Sequence, residues 1–99
     1  MEIIKNGNGN ALNVALVGRL DTTTAPQLES ELKESLEAVT ALTFDFAALE
    51  YISSAGLRVL LSAQKTMNGR QGKMVVRNVS EDIQEVFEIT GFCDILTIE

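Results

Sequence analysis

Two hydroxyl side chains followed by two of the smallest residues, in the tract Tyr51-Ile52-Ser53-Ser54-Ala55-Gly56-Leu57, give this chain its best-placed chemistry. The tract lies between an apolar strand-like run and a helical pattern, so Ser53 or Ser54 opens a helix. The first N–H groups of a helix have no partner within it and carry a partial positive charge. A serine hydroxyl over them can cap the helix. Converted to a phosphate ester, it would set a dianion on the same helix end and turn a neutral surface negative. Ser54 is therefore either a cap or a switch.

Other chemistries lack their residues. The sequence has no histidine, which removes the commonest general base, the Ser–His relay and the commonest metal ligand. A serine–lysine pair would need a lysine beside Ser54, but Lys65 falls three turns along the same helix, about 16 Å away. Lys5, Lys33 and Lys73 stand on elements that do not lead there. Asp21 and Asp45 are two carboxylates without a metal-binding motif. No glycine-rich phosphate loop ending in Lys-Ser or Lys-Thr is present, and no G-x-G-x-x-G. Neither an enzyme nor a cofactor nor a metal is expected, and nucleotide binding ranks last among the readings. Eight basic against fourteen acidic residues, a net charge of −6, argue against nucleic acid and against an anionic membrane surface as partners.

The elements that must position Ser54 follow from the periodicities. Ile3 and Ile4 precede two Asn-Gly pairs in Asn6-Gly7-Asn8-Gly9-Asn10, and Leu12, Val14 and Leu16 then alternate. Residues 1–5 and 11–20 are thus expected to form an antiparallel hairpin, with Gly18 marking a bulge or a close approach. Thr22-Thr23-Thr24 before Pro26 starts a helix. Thr24 and Gln27 have capping-box spacing, and Leu28, Leu32, Leu36 and Val39 form the buried stripe. Leu42 to Phe46 reads as a second long strand. The helix after the serines buries Leu57, Leu60, Leu61, Ala63 and Met67 and ends at Asn68-Gly69 and Gly72. Met74 to Arg77 is a third interior strand. Ser80 caps a last helix with an acidic first turn, which buries Ile83, Val86 and Phe87 and stops at Gly91. The tail from Phe92 is apolar enough to dock on the body.

Strand–helix–strand–helix–strand with short connections makes one α/β domain over 1–99, and right-handed crossovers hold its three interior strands parallel. The expected fold is a mixed, mostly parallel sheet of four to five strands, preceded by an antiparallel hairpin, with helices packed on it. All three strand-to-helix junctions then share one rim, Asp21 to Thr24, Ala47 to Ser54 and Asn78 to Ser80, rich in hydroxyls and poor in cations. With 45% hydrophobic residues and no tryptophan, an aliphatic core is expected. The single cysteine, Cys93, cannot form an internal disulfide and reads as a small apolar filler, which suits a reducing compartment. Met1 to Lys5 lacks a signal-peptide core, and no apolar run nears the ~20 residues of a membrane span, so a soluble, cytoplasmic protein is expected.

Order and motifs together resemble the STAS domain family, and within it the bacterial anti-sigma factor antagonists. The resemblance runs through Gly18-Arg19-Leu20-Asp21 with Thr24-Ala25, Phe44-Asp45-Phe46 with Leu49, and Tyr51 to Leu57. It continues through Gly72-Lys73-Met74-Val75 and Val86-Phe87-Glu88-Ile89-Thr90-Gly91-Phe92. It implies a non-enzymatic partner switch: an unphosphorylated antagonist binds an anti-sigma factor that is also a serine kinase, phosphorylation releases it, and a PP2C-type phosphatase resets it. The family pattern Asp-Ser-Ser-Gly or Asp-Ser-Thr-Gly places Ser53 at the acid, Ser54 at the acceptor and Ala55 at the second hydroxyl. Ser53 thereby becomes a rival acceptor. Asp21 matches the family's Asp at the end of the second strand. With Thr22, Thr23, Ser53, Ser54, Ala55 and Gly56 it makes the expected partner-binding rim. The alternative is a constitutive STAS-type interaction subunit, as in transport ATPases or stressosome-like assemblies, in which Ser54 only caps.

Overall fold

The computed structural model describes residues 1–99. Strands β1 (Glu2–Asn8) and β2 (Ala11–Leu20) lead to helix α1 (Ala25–Ser35), strand β3 (Ala41–Ile52) and helix α2 (Ser54–Gly69). Strand β4 (Lys73–Arg77), helix α3 (Glu81–Thr90), a 3₁₀ turn (Phe92–Asp94) and strand β5 (Thr97–Ile98) complete the chain. The five strands lie side by side in sequence order. The β1–β2 pair is antiparallel around a tight Gly9-Asn10 turn in which Gly9 has φ +66°, and the other three pairings are parallel. This is the mixed, mostly parallel sheet expected, with five strands.

Register shows where the core sits. Leu12, Leu42 and Met74 pair across β2, β3 and β4, as do Val14, Phe44 and Val76, and all six are buried. Strand order 2-3-4 with right-handed crossovers places α1 and α2 on that one face. Helix α3 joins them there, its Phe87 ring 6.5 Å from Phe46, which stands 5.9 Å from Phe44. The stripe Leu28, Leu32, Leu36 and Val39 is buried as expected, although the helix ends at Ser35 and a turn carries the last two inward.

Strand β3 runs to Ile52, past the Phe46 limit that alternation suggested. Ala15 pairs with Asp45 but Val17 with Ala48, and Gly18 pairs with Leu49 but Arg19 with Tyr51. Each step inserts one extra residue into β3. These two bulges move the inward positions from Phe46 to Leu49 and then to Ile52, so period two fails while burial continues. The first bulge's Ala47 N–H donates to Asp45 Oδ1 at 2.9 Å. Gly18 sits opposite the second with φ +105°, a conformation costly for any residue with a Cβ.

Capping differs in detail from the sequence reading. Thr24 makes no side-chain cap to Gln27; a reciprocal box lies one turn earlier. Asp21 N–H donates to Thr24 Oγ1 at 2.8 Å and Thr24 N–H donates to Asp21 Oδ1 at 3.1 Å. At the end of α2 the left-handed residue is Gln71, φ +58°, rather than Gly69. Ser80 accepts from Ile83 N–H at 3.3 Å and Gly91, φ +80°, ends α3, both as expected.

Candidate functional site

The first two strand-to-helix junctions meet. Leu20 and Ile52 pair as the last residues of β2 and β3, and Ser53 N–H donates to Leu20 carbonyl at 2.9 Å. The third junction does not join them. Strand β4 ends where Arg77 faces Asp45, and β3 continues seven residues beyond Asp45, two of them bulge residues, so that it reaches as far as the five β2 residues beside it, about 16 Å at the ordinary rise of a strand. Asn78 to Ser80 therefore lies well below the tip, where Asn78 Nδ2 donates to Asp45 Oδ1 at 2.9 Å. The rim expected from three junctions is built from two.

Within this tip the two serines have separate tasks. Ser53 is the N-cap of α2, extended at φ −99° and ψ 175°, half-buried, its Oγ accepting from Gly56 N–H at 3.4 Å. Ser54 is the first helical residue, exposed, and its hydroxyl makes no hydrogen bond within the chain. No acidic residue stands in the first turn of α2, so the partial positive charge of that helix end is left unneutralised by its own side chains. Gly56 is buried: a Cβ there would come 2.7 Å from Leu20 Cγ and 2.9 Å from Ile52 Cγ1. Its contribution is positional, since only a residue without a side chain lets α2 start this close to the strand ends.

Asp21 is held by its own loop. Oδ1 accepts from Thr23 N–H at 3.0 Å as well as from Thr24 N–H, and Oδ2 lies 3.9 Å from Arg19 Nε. The Thr24 and Thr23 amides lower the Asp21 pKa below the usual carboxylate value, with Arg19 adding to the effect. Thr22 and Thr23 are exposed and Ala55 is half-buried. Thr22 and Ala55 line one cleft of about 420 Å³ with Pro26, Glu29 and Arg58, between the starts of α1 and α2.

The tip is less poor in cations than the sequence suggested. The Arg19 guanidinium lies 4.2 Å above the Tyr51 ring, across the β2–β3 pair. Arg58 is exposed on α2, four residues after Ser54. The four-residue spacing from Ser54 was the available signal for Arg58. Arg19 and Tyr51 carried none, because a bulge sets their pairing. No cluster of three or more His, Cys, Asp or Glu side chains is brought together that could hold a metal ion. No helix is long and apolar enough to cross a membrane.

The chain is a five-stranded α/β module with helices on one face and an unbonded serine at the start of its second helix. The chain belongs to the STAS domain family, whose model matches residues 2–99. It is 38% identical over 88% of its length to the Bordetella bronchiseptica protein BtrV, provisionally named an anti-sigma factor antagonist, and covers 76% of that protein. It is 30% identical over 97% of its length to the anti-sigma-B factor antagonist of Listeria monocytogenes, covering 85% of it. Among solved structures, an anti-sigma factor antagonist from Mycobacterium paratuberculosis superposes with a TM-score of 0.87 at 21% identity, over 98% of this chain and 83% of that one. The phosphorylated form of the Bacillus cell fate determinant SpoIIAA superposes with a TM-score of 0.79 at 19% identity, over 99% of this chain and 91% of that one.

Proposed function

We propose that this protein is an anti-sigma factor antagonist that works as a partner switch on Ser54. Unphosphorylated, it binds an anti-sigma factor serine kinase through Asp21, Thr22, Thr23, Ser53, Ser54 and Ala55, with Gly56 holding the helix end in place. The kinase transfers the γ-phosphoryl group of ATP to Ser54 Oγ. The new O–P bond replaces the bond from Pγ to the β,γ-bridging oxygen, ADP leaves, and the hydroxyl proton passes to a base of the kinase. A PP2C-type phosphatase reverses the change by hydrolysis. Both encounters take place in the cytoplasm.

One observation carries the assignment: Ser53 is committed to the cap and Ser54 is exposed and unbonded. A capping hydroxyl half-buried against the helix presents itself poorly to a kinase, whereas Ser54 needs no local bond to be broken. The names of the relatives support the regulatory role, and the phosphorylated form of SpoIIAA shows that a protein of this fold can carry the modification. The helix end would stabilise the phosphate within the monomer. An interface that had buried a neutral hydroxyl would instead have to desolvate a dianion, costing several kcal/mol, so affinity falls by tenfold or more while the fold persists.

The test is incubation with the cognate kinase and ATP, followed by mapping of the phosphate by mass spectrometry. Phosphate on Ser54 alone is expected. Phosphate on Ser53 alone would overturn the Ser54 assignment in favour of the rival acceptor, and none in a complex that still forms would leave a constitutive interaction subunit in its place.

A further inference from the structure

Arg58 stands one helical turn beyond Ser54, so the two Cβ atoms lie about 6 Å apart on the same face of α2. Helical side chains lean toward the N-terminus, which brings a long residue at 58 back over the turn that begins at Ser54. Arg58 is exposed and free. The ion pairs of the chain join Lys5 to Glu31, Arg19 to Asp21 and Arg77 to Glu99, and Arg58 takes part in none of them and in no side-chain hydrogen bond. Of the other cations, Arg19 is occupied by the Tyr51 ring and Asp21, and Lys65 is about 16 Å along the helix.

We propose that Arg58 is the intramolecular receptor of the Ser54 phosphate, closing over it as a two-pronged guanidinium–phosphate pair. The inference rests on the phosphorylation of Ser54 proposed above and adds a second effect to it. Before modification the guanidinium is available on the docking face, at the edge of the cleft shared with Thr22 and Ala55. After modification it is drawn back onto its own helix. Phosphorylation therefore removes a cation from the face as well as adding a dianion, and both changes oppose an acidic contact on the partner.

The test installs phosphoserine at position 54 during synthesis of the full chain, so that no kinase is needed. The second pKa of the phosphate is then read by ³¹P NMR titration at low ionic strength, in the otherwise native protein and in Arg58→Gln. Asp21 and Arg19 at the end of β2 and Glu29 on α1 act on both proteins alike and cancel in the comparison. A pKa higher in Arg58→Gln by at least about 0.3 unit is expected, because loss of a paired cation favours the protonated form. A smaller difference overturns the proposal. If the difference appears yet no kinase modifies Ser54, the Arg58–phosphate pairing stands as a property of the phosphorylated chain and the partner switch fails. If a kinase modifies Ser54 and the two titrations coincide, the switch stands without Arg58.

Discussion

A hydroxyl that caps a helix must stay where it is, and one that receives a phosphoryl group must be free to leave. Ser53 meets the first condition through its N–H on Leu20 carbonyl and its Oγ toward Gly56 N–H; Ser54 meets the second by bonding to nothing. Their truncations should therefore differ. Ser53→Ala is expected to lose about 1 kcal/mol of stability in denaturant unfolding, the ordinary value of an N-cap. Ser54→Ala should stay within about 0.5 kcal/mol of the native protein, as exposed substitutions do. Equal losses would mean that both serines cap and neither is free. The sequence placed both serines at the helix start without showing which one caps. That distinction comes from the pairing of Leu20 with Ile52, a contact between residues far apart in the chain. Asp21 shows the same limit. Its proximity to three threonines was legible as helix-entry chemistry, but the reciprocal bond with Thr24 displaced the Thr24–Gln27 box that spacing favoured.

Among the elements, β3 does most to shape the site, since its seven residues beyond Asp45 carry the start of α2 past the end of β4 to the end of β2. Alternation revealed this strand only to Phe46, because each bulge resets the parity that sequence reading depends on. The hairpin, the parallel interior strands, the Ser80 cap and the Gly91 stop were legible, since each rests on local pattern or turn chemistry. Asp45 ties the first bulge to the β4–α3 junction by accepting from Asn78 and Ala47, and these bonds, with Arg77 nearby, hold its pKa below 3.8. A carboxylate with a depressed folded pKa contributes stability above its unfolded value and loses it as pH falls through the folded one. Asp45→Asn should therefore lower Tm at neutral pH, and the gap to the native protein should close as pH falls well below 3.8. A gap independent of pH would assign the effect to shape rather than charge. Gly56 acts at the other end of this stretch. Gly56→Ala gains at most about 1 kcal/mol of helix propensity, but its methyl would press on Leu20 and Ile52, both buried. A net loss of about 1–2 kcal/mol in chemical denaturation is expected, and a gain would show that α2 can start farther from the sheet than its contacts indicate.

For the whole molecule, charge decides whether a small modification can act as a switch. The chain carries −6, and the proposed phosphorylation of Ser54 would add about −1.5 to −2 more at an exposed tip. At a Debye length of about 8 Å the far side of a domain this size contributes little at the tip, so the effect must be local. Local effects come in two kinds, the bulk of the added group and its charge, and two substitutions of nearly the same size separate them. Ser54→Asp adds a carboxylate, and Ser54→Asn adds a neutral amide of the same shape. Both should fold as the native chain does, because position 54 is exposed. Binding to the proposed partner, an anti-sigma factor kinase, measured by calorimetry with ADP so that no phosphate is transferred, should weaken by tenfold or more for Asp, about 1.4 kcal/mol. For Asn it should weaken by no more than about threefold, since a neutral amide entering the interface leaves no charge to desolvate. Equal weakening by the two would trace the release of the partner to crowding at the tip, and the electrostatic switch would fail.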